Sequence, residues 1–364
     1  MPFFNAFNGK KVLVTGHSGF KGSWLCKWLL DLGAQVTGYS LHPEELSLYR
    51  QLGLSGVVTD IFNDIRDLNA VRHAVGDLKP DFIFHLAAQP LVRLSYDQPI
   101  ETYAINVMGT AHILEAARLS NHACSVVIVT TDKCYENQEW IHSYREIDPM
   151  GGHDPYSSSK GAAELLTSTY RRSYFSNQKS KIKLASARAG NVIGGGDWAT
   201  DRILPDCIRA LSKNENIVVR NKISRRPWQH VLEPLSGYLQ LAAMLHLSTA
   251  SKNYESAFNF GPSLASNRTV AEVVDEVLLH WPGSWLDQSD PTAVHEAVLL
   301  NLATDKAHHL LGWQPVWSFK ETVTETVNWY LHQHEDPESA NFLTTSQIAA
   351  YQKRAAELSL SWAK

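Results

Sequence analysis

Lys10-Lys11-Val12-Leu13-Val14-Thr15-Gly16-His17-Ser18-Gly19-Phe20-Lys21-Gly22 is a short β-branched run closing on three glycines spaced three apart. From Ser23 to Leu32 the apolar residues recur at helical spacing, so the segment reads as strand, glycine turn and helix. The spacing Gly16-x-x-Gly19-x-x-Gly22 occurs nowhere else in the chain. Such glycines permit a tight turn, let backbone N–H groups approach a pyrophosphate and bring helix against strand, while the helix N-terminus favours the anion. Working outward, further apolar runs at 35–40, 56–61, 81–89, 125–129 and 181–187 alternate with helical stretches, without internal repeats. Six alternating strands and helices predict an α/β, Rossmann-like doubly wound parallel sheet.

Beyond about residue 191 the alternation decays, which implies a smaller C-terminal α/β substrate domain. The expected division is 1–190 for dinucleotide binding and 191–364 for substrate. Phe258-Asn259-Phe260 reads as a strand returning to the first sheet, so a segment near 228–262 is shared. The tail from about Glu335 is polar and expected to be loosely held.

Composition narrows the function. With 364 residues, 44% of them hydrophobic, the chain can bury a large core, and a net charge of −4 without runs of one sign argues against nucleic acid or a membrane surface as partner. No stretch approaches the roughly 18 apolar residues of a spanning helix, and the start lacks a leader pattern, so a cytoplasmic protein is expected. Cys26, Cys124, Cys134 and Cys207 are widely spaced, with no Cys/His cluster at metal-ligand spacing, so reduced thiols and no metal are expected. Eleven Trp suit either an aromatic core or a stacking pocket.

Ligands of a parallel sheet bind beyond the carboxyl ends of its strands. The second strand ends at Ser40, where folds preferring NAD commonly carry Asp or Glu, and no adjacent Arg offers itself to a 2′-phosphate. After the third, Asp64 is placed to reach an adenine amino group or to cap a helix, as Asp67 is. The fourth ends in small residues that let a flat cofactor lie on backbone; His85 there reads as a core histidine. Gln89 and Arg93 lie just beyond, facing the pocket or closing the domain interface, and Asn106 in a helix over 101–119 reads as a buried structural amide. The fifth run, from Ser125, ends in Thr130-Thr131-Asp132-Lys133. A helix then opens at Asp154-Pro155 and carries Tyr156 and Lys160 one turn apart on one face. An ammonium beside a phenol favours the phenolate, so this pair suits a base near neutral pH.

Thr15-Gly16-x-x-Gly19-Phe20-x-Gly22, His85-Leu86-Ala87-Ala88-Gln89, Tyr156-x-x-x-Lys160 and Arg188-x-Gly190-Asn191-Val192 together resemble the extended short-chain dehydrogenase/reductases acting on nucleotide sugars, from the N-terminus to roughly Trp329. Within them, Thr130 to Asn137, Gly194-Gly195-Gly196-Asp197-Trp198 and Arg226-Pro227-Trp228-Gln229-His230-Val231 resemble the CDP-glucose branch of the 4,6-dehydratases. The dTDP-glucose branch has Asp-Glu where this chain has Asp132-Lys133. The resemblance implies NAD as cofactor, CDP-glucose as substrate, a homodimer paired through helices 101–119 and 156–175, and a place in deoxysugar synthesis for surface polysaccharide. The implied reaction is oxidation at C4, loss of water across C5 and C6, and return of hydride to C6. By the same resemblance Tyr156, Lys160 and Thr131 serve the oxidation, and Asp132 and Lys133 the elimination as acid and base. Cofactor contacts would come from Gly16, Gly19, Phe20, Gly22 and Ser40, from Asp64, Ile65, Leu86, Ala87 and Ala88, and from Asn106. Gln89, Arg93, Asn191, Arg226 and His230 would meet the substrate. The competing readings are a nucleotide-sugar epimerase or reductase, which need no acid/base pair for elimination, and a non-catalytic NAD-binding protein, which would tolerate loss of Tyr156 and Lys160.

Overall fold

The computed structural model describes residues 1–177, 180–248, 253–289 and 299–364. The glycine turn joins β1 (Lys11–Thr15) to α1 (Phe20–Asp31). With β2 (Gln35–Ser40), β3 (Thr59–Phe62), β4 (Phe82–His85), β5 (Cys124–Val129), β6 (Ile182–Ala189) and an edge strand, Ala257–Phe260, it forms a seven-stranded parallel sheet. The order from one edge is β3, β2, β1, β4, β5, β6 and the edge strand. Strand order reverses between β1 and β4, and a crevice opens beyond their carboxyl ends. Helices cover both faces, so β5 is buried at all six positions and reads as a continuous apolar run instead of an alternating one.

One face packs Leu13, Ile83, Val126 and Ile128 against the helices Leu68–Leu78 and Gly109–Leu119. The other packs Val12, Val14, Phe84 and Val127 with α1 and with the helix Leu232–Leu247, so the second half of the chain helps to build the first sheet's core. That helix is buried nearly all round, which explains why it lacks a polar stripe. A separate core, including Ile193, Leu204, Cys207, Trp228, Val273 and Val323, supports the wall facing the sheet edge. Five of the tryptophans serve packing: Trp24, Trp28, Trp313, Trp329 and Trp362 are fully buried.

Two expectations need correction. The helix expected over 101–119 begins at Pro99 and contains a π turn, Ala104–Met108, around Asn106. The tail beyond Glu335 is not loose: the helix Ala340–Glu357 buries Ile348, Tyr351 and Ala355, and Trp362 stacks on Phe3 at 4.8 Å. Its buried residues include the large rings of Tyr351 and Trp362, and this concentration offsets a low average hydrophobicity. No described helix is long and apolar enough to cross a membrane.

Candidate active site

A cleft of about 910 Å³ runs along the carboxyl edge of the sheet, at the large end for a small-molecule site. The glycine turn forms one wall. Gly16 takes φ +72°, and a Cβ there would lie 2.8 Å from the Ala87 nitrogen; a Cβ on Gly22 would lie 2.1 Å from the Gly16 carbonyl oxygen. Backbone therefore comes closest where an anion would sit on the first turn of α1. Gly19, Phe20, Ser40, Asp64, Ile65, Leu86, Ala87 and Ala88 line the same end. Ser18 and Ser40 hydroxyls pair at 2.8 Å, and Asp64 is held by Arg66, which keeps its carboxyl below the usual range. Arg66 is also bonded to Glu101.

The opposite end belongs to β5 and the helix Pro155–Tyr170. Asp154 caps that helix by accepting from the Ser157 N–H at 2.8 Å, and Pro155 sets its first turn, which fixes where Tyr156 and Lys160 point. Both line the cleft with Thr131 and Lys133. Burial pushes Tyr156 up to about 12, against a hydrogen bond with Thr131 and the Arg202 charge. Burial pushes Lys160 down to about 8, opposed by Glu164 one turn further on. Glu164 is itself fixed: Ser186 Oγ and Arg188 Nη2 donate to Oε2 at 2.8 Å each, Thr130 donates to Oε1, and Arg188 also donates to the Tyr135 hydroxyl at 2.7 Å. This buried set ties β5, β6 and the Lys160 helix into one unit.

Asp132 lies one layer beneath the lining, 3% exposed. Thr131 donates to its Oδ1 at 2.9 Å, and a Cβ on Gly190 would come 2.7 Å from Oδ2. Burial raises its pKa, while the charge of Lys133, the Thr131 bond and Arg226 pull the other way. A carboxyl whose pKa burial raises, beside a lysine at a strand end, is suited to moving a proton.

Arg93, Asn191 and Arg226 reach the cleft. Gln89, Asn106 and His230 do not. Asn106 accepts from the Gln89 N–H at 2.8 Å and donates to the Gln89 carbonyl and Ser159, and the Gln89 side chain is spent on Thr102 and the Leu91 N–H. Both amides hold the loop after β4 from behind. Residue alternation in the short strand Gln229–His230, paired with Val192–Ile193, turns His230 inward, where its ring packs edge-on against Trp24 and Trp317.

Three cleft residues carry no motif of their own. Arg202 is anchored by Asp197 at 2.7 Å, so the stretch from Gly194 to Trp198 serves to aim a guanidinium inward. Arg220 pairs with Asp201 at the mouth, and Lys21 lines the wall from inside the glycine turn. A run of Gly-Gly-Gly-Asp ahead of an Arg is the only signal that points to any of them. Among the described residues, no group of three or more His, Cys, Asp or Glu is arranged to hold a metal ion.

The family model described as GDP-mannose 4,6 dehydratase matches residues 13–326. The CDP-glucose 4,6-dehydratase of Salmonella typhimurium is 48% identical over 332 residues, covering 90% of this chain and 92% of that protein. A dTDP-D-glucose 4,6-dehydratase of Bos taurus is 25% identical, covering 91% and 92%. Among solved structures, the dTDP-glucose 4,6-dehydratase of Bacillus anthracis in complex with NAD shares the fold, with a TM-score of 0.75 at 20% identity, covering 91% of this chain and all of that one.

Proposed function

The chain belongs to the GDP-mannose 4,6-dehydratase family, and from that premise we propose that it is an NAD-dependent hydro-lyase converting CDP-glucose to CDP-4-dehydro-6-deoxyglucose. The observation that carries the reading is one cleft holding a glycine turn at one end and Thr131, Lys133, Tyr156 and Lys160 at the other, with Asp132 directly behind. The glycine turn fits a dinucleotide because its backbone leaves no room for side chains where a pyrophosphate would lie. Held by the glycine turn, NAD would supply the hydride chemistry for oxidation at C4 and reduction at C6.

Tyr156 takes the proton of the C4 hydroxyl, its phenolate favoured by Thr131 and Arg202. Lys160 holds positive charge beside it. Once C4 is a ketone, the C5 proton is acidic: Lys133, in its neutral form, removes it, and Asp132, whose pKa burial raises, gives a proton to the departing C6 hydroxyl. Arg93, Arg202, Arg220 and Arg226 around the cleft suit a nucleoside diphosphate, whose oxygens accept paired bonds from guanidinium forks. A twofold dimer would pair the helices at 99–119 and 155–170, whose outer faces expose Ile100, Met108 and Leu165.

Incubation with CDP-glucose and mass analysis test the reading. A product lighter by one water, with no net NADH, is expected; an isomer of unchanged mass or a stoichiometric build-up of NADH overturns it.

A further inference from the structure

Glu164 follows Lys160 by one turn on the helix Pro155–Tyr170, with Lys160 lining the cleft and Glu164 buried behind it. Its carboxyl is met from two strands. Thr130, just past β5, donates to Oε1, and Ser186 and Arg188 on β6 donate to Oε2 at 2.8 Å each. Burial by itself raises a carboxyl, yet the Arg188 charge and these bonds outweigh it and keep Glu164 below the usual range. Glu164 is therefore an anion at neutral pH. The Arg188 guanidinium is spent in turn: Nη1 donates to the Tyr135 hydroxyl at 2.7 Å and to the Glu146 carbonyl at 3.2 Å, and Tyr135 donates to Asn259 Oδ1 on the edge strand.

A buried ion pair adds little stability, because taking two charges out of water costs about as much as their attraction returns. What this pair supplies is a fixed negative charge one turn from an ammonium that burial works to neutralise. On the reading that Tyr156 takes the C4 hydroxyl proton, which this inference rests on, that ammonium has to be present for the phenolate to form. We propose that Glu164, clamped by Arg188, is a positioning residue of the oxidation: it touches no substrate and acts by keeping Lys160 positively charged beside Tyr156.

Removing the Glu164 charge lets Lys160 lose its proton at lower pH, so the loss of activity grows as pH rises and is greatest above about 8, where burial places Lys160 in the intact protein. The other groups facing the pair are Tyr156 on the same helix, Lys21 on α1, His85 on β4, Cys134 after β5 and Arg171 at the helix end. Burial holds His85 down at about 3 and Tyr156 up at about 12, and it raises the Cys134 thiol, so these keep their state from pH 6 to 9. Lys21, pushed by burial to about 7, does change charge in that range. Comparing variant with wild type at each pH cancels its contribution.

The experiment makes two measurements on the full-length protein. Trace labelling with acetic anhydride from pH 6 to pH 10, quantified at Lys160 by mass spectrometry, follows the titration of that amine without substrate. Its midpoint is expected near 8 in wild type and about one pH unit lower in Glu164→Gln. Because Glu164→Gln leaves Arg188 buried and unpaired, Glu164→Gln/Arg188→Met is measured beside it and is expected to shift in the same direction. Relative to wild type, kcat/KM for CDP-glucose should then fall about tenfold further at pH 9 than at pH 6 in these variants, while Glu164→Asp, which keeps the charge, holds a constant ratio. An unmoved labelling midpoint, or a loss by the same factor at every pH, overturns the proposal and leaves Glu164 a structural residue. Absence of dehydration by wild type overturns the reaction reading instead, and the labelling midpoints, taken without substrate, tell the two failures apart.

Discussion

Asp132 and Glu233 are both buried carboxyls raised by desolvation, and they do opposite work. Glu233 is closed off: it accepts from the Val316 N–H, from the Trp317 N–H at 2.7 Å and from the Tyr351 hydroxyl at 2.6 Å, among Trp313, Trp317 and Tyr351. Those bonds tie the helix Leu232–Leu247 to the C-terminal helix and hold a tail whose polar composition suggests looseness. Asp132, one layer beneath the cleft lining, has the Thr131 hydroxyl on Oδ1, a bond from the Lys133 backbone, and the bare backbone of Gly190 beside Oδ2. Burial alone raises a carboxyl's pKa, whereas the supply of donors decides whether the group is structural or free to exchange a proton.

Breaking the contrast at Asp132 has the largest expected effect. Asp132→Asn should lower turnover by about 10² to 10⁴ while reduced cofactor accumulates on adding CDP-glucose, with thermal stability near wild type. Lys133→Ala should likewise permit C4 oxidation and suppress deuterium uptake at C5 from heavy water. Undiminished exchange at C5 in that variant would assign the base elsewhere.

Glu233→Gln probes the other side. Its single carbonyl oxygen cannot serve three donors, so a loss on the order of 2 kcal/mol is expected at pH 6, read by denaturant unfolding, with turnover per folded molecule unchanged. The pH dependence follows from its rise to about 7, against 4.5 for the ordinary group. Between those values the folded protein holds a proton that the unfolded chain releases, so stability from this group declines as pH climbs, on the order of 3 kcal/mol across the window. The difference between wild type and Glu233→Gln should therefore shrink from pH 5 to pH 7.5.

The smallest effect sharpens the comparison. Gly190→Ala places a methyl group against Oδ2 of Asp132, and about a tenfold loss of turnover with little change in unfolding midpoint is expected. A variant as active as wild type would show that Asp132 does not need that space.

Much of the site is legible in the sequence because it sits on regular elements at short spacing. A strand, a glycine turn and a helix follow from local periodicity, and Tyr156 and Lys160 share a face by helical geometry alone. His230 and Gln89 mislead for one reason, that a polar residue in a motif looks the same whether it faces ligand or braces a loop; Asn106 is the buried structural amide that its apolar neighbours indicate. Lys21 and Arg202 give no local signal of their place in the cleft, nor Glu164 of its place behind it, because partners such as Tyr238 for Lys21 and Arg188 for Glu164 lie far along the chain.

The order of residues by itself determined the parallel sheet, the glycine turn at its first crossover and the Tyr–Lys helix, since each depends on neighbours within a few turns of chain. Only the tertiary structure decided which buried charges are satisfied, which face the cleft, and that the C-terminal helix completes the core of the first sheet. Desolvation and donor supply are set by groups brought together from distant segments, and no local pattern records them.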